Sequence, residues 1–313
     1  MSDILIIIGI VIGVLIVVYV LTSLFIAYGF AYPNKKKPVQ TPADLGMKYE
    51  YVTFPSAVDN IKLHGWYIPG GGKACIIIMP GGKAHRADES MGLLALCVDL
   101  ARAGYSVLTL DRRGVGHSEK PPFKGSAHME RDFEGAVQYL RERSGPDKDL
   151  FLFGNSVAAL AAFVYSYSHG TDGIRGIIAD SAFETKMGIA GRILNGGMPG
   201  AGILAYGALY AGEKLFGMTN LDALNIVGDI RIPILYIIGD KDKQIPVAAT
   251  YQLLEASGSP DCEVLVVPGA AHSRTYRTDP RGYVNKVVAF LEKNNGVLPP
   301  EESLDKQKIP GSG

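Results

Sequence analysis

Neither sign of charge is in excess: 31 basic and 31 acidic side chains cancel in a chain of 313 residues. Nucleic-acid binders gather Lys and Arg into a patch or stripe, and this balance gives no such footprint, so no nucleic-acid partner is expected. Cysteine is scarce. Cys75, Cys97 and Cys262 are odd in number, widely spaced and set among apolar residues, which argues against a disulfide framework and for buried thiols. No His/Cys spacing suits zinc, and no metal or cofactor is expected. There is no internal repeat. Between Ile4 and Pro33 charged side chains are missing altogether.

That last absence is informative. Leu5 to Ile26 is almost wholly apolar, and a membrane span needs roughly 20 such residues. A cleaved signal peptide is the rival reading, with Gly29-Phe30-Ala31 as its cleavage site. The amino-terminal residues Met1-Ser2-Asp3 carry no Lys or Arg, and the apolar run exceeds the roughly 7–15 residues of a signal-peptide core, so the anchor is favoured. Residues 1–33 are therefore expected to form a single-pass transmembrane anchor. A polar linker follows over 34–46, then a globular body over 47–294. The Pro-containing, polar stretch 295–313 reads as a mobile tail.

The body alternates short apolar runs with helical patterns. Glu50–Phe54 and Ile61–Pro69 form an expected antiparallel pair, with Asp59-Asn60 at the turn. Buried strands are expected at 74–79, 106–110, 150–153, 176–179, 234–238 and 262–267. Helices are expected over 92–103, 129–143 and 283–291. This alternation, with unbroken apolar strands, implies an α/β fold whose mostly parallel sheet is covered by helices on both faces. In such sheets chemistry collects in the loops at the carboxyl ends of the strands.

The run Leu150–Phe153 leads into Gly154-Asn155-Ser156-Val157-Ala158 and then into an Ala-rich helix closed near Ser168-His169-Gly170. A strand turning sharply into a helix needs small neighbours, and it lifts the central hydroxyl above the sheet beside the first helical N–H groups. After the 74–79 strand, Pro80-Gly81-Gly82 allows close backbone approach, and the Gly82 and Val157 N–H groups are the expected oxyanion donors. A phosphate-cradling loop fits less well, because Gly82-Lys83 is followed by Ala84. After the 106–110 strand comes Asp111-Arg112-Arg113-Gly114-Val115-Gly116-His117-Ser118. Glu119 breaks a dinucleotide fingerprint, Asp111 and Arg113 read as a loop-fastening charge pair, and His117 is a rival base whose place before Ser156 counts against it. After the 234–238 strand, Asp242 is the expected acid, with Asp240 as the neighbouring candidate and Asp180, one strand earlier, in reserve. After the 262–267 strand, Gly269-Ala270-Ala271 leaves His272 free to reach the elbow. The chain order Ser156, Asp242, His272, each after its own strand, is specific where its parts are not.

On these motifs, together with Gly65-Trp66-Tyr67-Ile68-Pro69 and with Pro246 four residues beyond Asp242, the body resembles the α/β-hydrolase superfamily. It is most similar to single-pass, membrane-anchored members related to serine aminopeptidase-like and depalmitoylating hydrolases. Two positions depart from the pattern: Pro80-Gly81 stands for the usual His-Gly, and Ala158 for the final elbow glycine. The resemblance implies an eight-stranded α/β-hydrolase fold. It also implies a serine hydrolase in which Ser156 attacks, His272 moves the proton and Asp242 orients the imidazole.

Esters or thioesters are the expected bonds, in a small-molecule or lipid acyl substrate. A peptidase on the same scaffold and a non-catalytic membrane-tethered binding module are the alternatives. Residues 181–231 occupy the place of a cap. The reading adopted is a helix over 184–194 and an apolar stretch over 198–217 packed on the sheet, with an acyl pocket or bilayer contact as the other uses. Lys35, Lys36 and Lys37 follow the span directly, so the positive-inside rule orients the body toward the cytoplasm.

Overall fold

The computed structural model describes residues 2–32, 36–72, 74–125 and 127–296. The expected tail lies outside the described residues from 297 onward, as do 33–35 in the stretch that joins span to linker.

The apolar runs become eight strands: β1 (Glu50–Pro55), β2 (Lys62–Ile68), β3 (Cys75–Met79), β4 (Ser106–Asp111), β5 (Leu150–Asn155), β6 (Ile174–Asp180), β7 (Ile234–Gly239) and β8 (Glu263–Val267). They make one sheet in the order β1-β2-β4-β3-β5-β6-β7-β8. The pairs β1–β2 and β2–β4 are antiparallel, and every pairing from β4 through β8 is parallel. The β1–β2 connection turns at Asp59-Asn60 as expected, with Asn60 at φ 54°. Every residue of β3, β4, β5 and β7 is buried, as strands covered on both faces must be. The expectation of a buried strand fails for β8. It is the sheet edge, and Glu263 to Val266 are only half-buried.

The helices are α1 (Ser2–Ala31), α2 (Leu93–Arg102), α3 (Glu130–Ser144), α4 (Val157–His169), α5 (Lys186–Gly197), α6 (Leu204–Phe216), α7 (Ala223–Ile226), α8 (Val247–Ala256), α9 (Thr275–Thr278) and α10 (Pro280–Asn294). One sheet face packs against α3, α4, α7 and α8 through residues such as Phe133, Phe163, Ile226 and Leu253. The other face packs against α2 and α10 through Leu100, Tyr283, Val287 and Phe290. Burial of this extent is the main favourable term in folding, at about 25 cal/mol per Å² of apolar surface. The Ala-rich α4 ends as expected at Gly170, whose φ of 77° suits glycine. Cys75 and Cys97 are buried free thiols, and burial pushes each up to about 12. Cys262, on the edge side, is half-buried.

The cap stretch differs from expectation. Its helices are α5 and α6, and α6 packs against α1 rather than on the sheet. Small residues cause this. A Cβ on Gly207 would lie 2.3 Å from Ser23 Oγ and 2.8 Å from its Cβ, so glycine leaves the room that the Ser23 side chain takes. Ala27 and Ala31 of α1 meet Ala211 and Phe216 further along. Helix α1 itself, from Asp3, carries a mean hydropathy of 3.4, long and apolar enough to cross a membrane.

Candidate active site

β5 ends at Asn155 and α4 begins at Val157, so Ser156 takes the whole turn at φ 53° and ψ −119°. A non-glycine residue in that region is strained by of order 1–3 kcal/mol. The neighbours hold it there. Ser156 N–H donates to Asp180 O at 2.8 Å. A Cβ on Gly154 would sit 2.4 Å from Ala158 O, so glycine is needed where the strand passes under the new helix. The position after next, Ala158, is fully buried and accommodated.

His272 lies 3.3 Å from the elbow, Nε2 to Ser156 Oγ, and its Nδ1 is 2.7 Å from Asp242 Oδ2. The Asp242 side chain is fully buried. Its other oxygen accepts the Gln244 and Ile245 N–H groups at 2.8 and 2.9 Å, which fixes which oxygen faces the histidine. The structure thus brings Ser156, His272 and Asp242 together in one relay. It separates the other candidates from it. Asp240 is exposed, and its Oδ1 accepts Gly269 N–H at 2.7 Å, tethering the loop that carries His272. Asp180 faces Thr275 (2.5 Å), Tyr283 (2.9 Å) and Ser181 (2.8 Å), all hydroxyl donors. Burial raises its carboxyl above the ordinary value, against the pull of those hydrogen bonds. His117 stands beside Arg86, Nδ1 to Nη2 at 3.3 Å, with Tyr51 and His64 as ring neighbours.

The Pro80-Gly81-Gly82 loop lies directly against the elbow. A Cβ on Gly81 would be 2.1 Å from Asn155 O and 3.1 Å from Val157 N, so the loop passes over the first N–H of α4 only because position 81 is glycine. Gly82 follows at φ 56°, and a Cβ there would meet open space. The loop that carries Gly82 thus lies beside the first N–H of α4. Arg112 Nη2 and Nε donate to Gly82 O at 2.5 and 3.2 Å, clamping that peptide from the β4 side. Burial lowers the Arg112 guanidinium to about 10.

The expected Asp111–Arg113 pair does not form. Asp111 is taken by Arg86, through a side-chain ion pair and the Arg86 N–H at 2.8 Å, which fastens the loop after β3 to β4. Arg113 instead binds Asp132 at 2.8 Å and Asp59 at 2.7 Å. Charge adjacency in the sequence pointed to a local pair. Both acids that Arg113 takes are distant in the chain, and a buried guanidinium needs more than one carboxylate oxygen.

Sequence reasoning missed a second layer under the relay. Ser273, at φ 57°, donates from Oγ to Asn155 Oδ1 at 3.0 Å, and its N–H donates to Ser181 Oγ at 3.2 Å. Ser181 is itself at φ 53°. The His272 loop is thereby hydrogen-bonded to the strand ends of β5 and β6. Asn155 and Asp180-Ser181, at the carboxyl ends of two central strands, were the available signal. Among the described residues no group of three or more His, Cys, Asp or Glu side chains converges as a metal site.

Known proteins are similar to this chain in sequence or in fold. Residues 72–196 match the family described as serine aminopeptidase, S33. The chain is 28% identical over 270 residues to the uncharacterized protein YfhR of Escherichia coli K12, covering 84% of this chain and 86% of that one. It is 24% identical over 284 residues to the uncharacterized membrane protein YNL320W of Saccharomyces cerevisiae, covering 87% and 93%. Among solved structures, the esterase Pf2001 of Pyrococcus furiosus superposes with a TM-score of 0.71 at 26% identity, over 85% of this chain and 98% of that one. The esterase RhEst1 of Rhodococcus sp. ECU1013, at 20% identity and a TM-score of 0.58 over 78% of this chain and 99% of that one, shares the fold.

Proposed function

From a chain that belongs to the α/β-hydrolase superfamily, we infer a membrane-anchored serine hydrolase that cleaves carboxylic esters or thioesters through an acyl-enzyme. One observation carries the reading: the two hydrogen bonds that run from buried Asp242 through His272 to a serine held at positive φ. Ser156 Oγ attacks the carbonyl carbon while His272 Nε2 takes its proton. The oxygen gains negative charge as the tetrahedral intermediate forms, and the N–H groups of Gly82 and Val157 stabilise it. His272 then protonates the leaving alkoxide or thiolate, and the acyl–Ser156 ester remains. Water, deprotonated by His272, releases the acid and restores the serine. Asp242 accepts the hydrogen bond from His272 Nδ1–H throughout and stabilises the imidazolium.

Ester or thioester bonds are favoured over amides because alkoxide and thiolate leaving groups need less help from the acid. The match of residues 72–196 to serine aminopeptidases favours amide hydrolysis as the second reading. A panel of aryl esters, acyl thioesters and aminoacyl anilides separates the two. Turnover of esters and thioesters at least about 10²-fold faster than anilides, in kcat/KM, is expected; a preference for anilides would replace the first reading by the second.

The anchor is α1, and the similarity to a yeast protein named as a membrane protein supports it. Lys35, Lys36 and Lys37 beyond the span favour a hydrolase body on the cytoplasmic side. Protease added outside spheroplasts is expected to leave the body intact; its loss while cytoplasmic markers survive would reverse the orientation.

A further inference from the structure

Helix α1 is longer than its free part. Tyr19 Oη already reaches Ile203 O, 3.4 Å away, and from there α1 and α6 run side by side in the same direction. Ser23 lies against Gly207, and Ala27 and Ala31 lie with Ala211 and Phe216. The stretch clear of the body is 4–18, about 22 Å of helix at 1.5 Å per residue. A hydrocarbon core of about 30 Å needs roughly five residues more. Those residues are the ones α6 already flanks. If α1 spans, the first turns of α6 go into the bilayer with it.

The surface of α6 fits that position. Ile203, Tyr206 and Tyr210 are 65%, 64% and 66% exposed, and their spacing puts them on one stripe of the helix. Small residues on the contacting faces, Ser23, Ala27 and Ala31 against Gly207 and Ala211, are the packing that helices use where lipid removes the hydrophobic drive between them. One level further along, Tyr28, Tyr32, Phe123 and Phe216 cluster with ring centroids 4.6–6.3 Å apart, and Lys120 lies 4.6 Å over the Tyr32 ring. Aromatic rings and lysines at one level mark a headgroup boundary.

We propose that the amino-terminal half of α6 is embedded in the bilayer beside α1, as a second membrane contact, and that the site therefore draws its acyl substrate from the membrane. This rests on the reading of α1 as the anchor. The cap is tied to the site: Arg192 of α5 donates to Gln244 O at 2.5 Å, and the Gln244 N–H holds Asp242.

The test uses the full chain reconstituted in phosphatidylcholine vesicles containing a brominated phosphatidylcholine, which quenches tryptophan in the acyl region. Trp66, the chain's one tryptophan, is buried and gives a constant background. Single tryptophans go in as Tyr206→Trp, Leu15→Trp and Tyr167→Trp; Tyr167 lies at the far end of α4 from Ser156. Quenching at 206 comparable to that at 15, with none at 167, is the expected result. Quenching at 15 but not at 206 overturns the embedding and leaves the anchor standing; quenching at 206 no greater than at 167 overturns the embedding as well. No quenching at 15 removes the anchor reading itself, and the embedding with it. As an independent readout, Tyr206→Asp with Tyr210→Asp is expected to raise KM for a long-chain ester carried in vesicles by on the order of tenfold, with a soluble short-chain aryl ester unaffected. An equal effect on both substrates counts against the proposal.

Discussion

Ser156→Ala is expected to lower ester turnover by on the order of 10⁶-fold, the cost of losing the nucleophile in a comparable relay. The protein is expected to stay folded. Alanine keeps the Cβ, and the backbone bond from position 156 to Asp180 O does not involve the side chain. The residue sits at the surface end of α4, half-buried, so removing its oxygen opens no core cavity. Melting within a few degrees of the parent, with ester hydrolysis at the uncatalysed level, is the outcome that fits. Hydrolysis within a few-fold of the parent would mean that another group attacks the carbonyl.

Asp242→Asn is expected to cost about 10⁴-fold in kcat, and the geometry says why. Asp242 Oδ1 accepts two backbone N–H groups, from Gln244 and Ile245. In the asparagine variant the amide oxygen must take that place, because the NH₂ cannot accept. The NH₂ then faces His272 Nδ1 and donates to it. That forces the imidazole proton onto Nε2, the atom that must accept from Ser156. Asp240→Asn is expected to lower kcat by less than about tenfold, since Asp240 acts on the Gly269 N–H and an amide oxygen serves as acceptor there as well. Asp180→Asn is expected to act mainly on stability, by about 1–3 kcal/mol, because three hydroxyl donors converge on a buried carboxylate. Steady-state rates and thermal melts of the three variants, measured together, check the assignment. Were Asp180→Asn the crippling change and Asp242→Asn the mild one, the acid would lie one strand earlier on an unchanged fold.

Much of this was legible because it is local. A five- or six-residue apolar run bounded by turn residues needs only burial on both faces to become a parallel strand, and β3, β4, β5 and β7 did so within a residue or two of expectation. The relay was legible because each member follows its own strand and the fold alone sets their meeting point. What stayed hidden depends on partners far apart in the chain. Arg113 binds Asp59 and Asp132 rather than its neighbour, and Asp111 answers to Arg86. Strand order decided that β8 lies at the edge, and its Val264-Leu265-Val266 run looks like a central strand in the sequence. Ser23, Ala27 and Gly207 read as ordinary members of apolar stretches. Their role appears only when α1 and α6 are seen side by side, where the missing side-chain volume is what allows the contact.

The most direct measurement is where a fluorophosphonate probe attaches. It reacts only with a serine whose hydroxyl is activated and whose phosphorus oxygen finds oxyanion donors, so it reports the whole arrangement at once. Membranes bearing the full chain, treated with the probe and digested, are expected to yield one phosphonylated peptide. The modification falls on Ser156, and it is absent after Asp242→Asn at short exposure or after Ser156→Ala at any exposure. An unlabelled chain, or a probe found on Ser118, Ser181 or Ser273 with Ser156 free, would contradict the account.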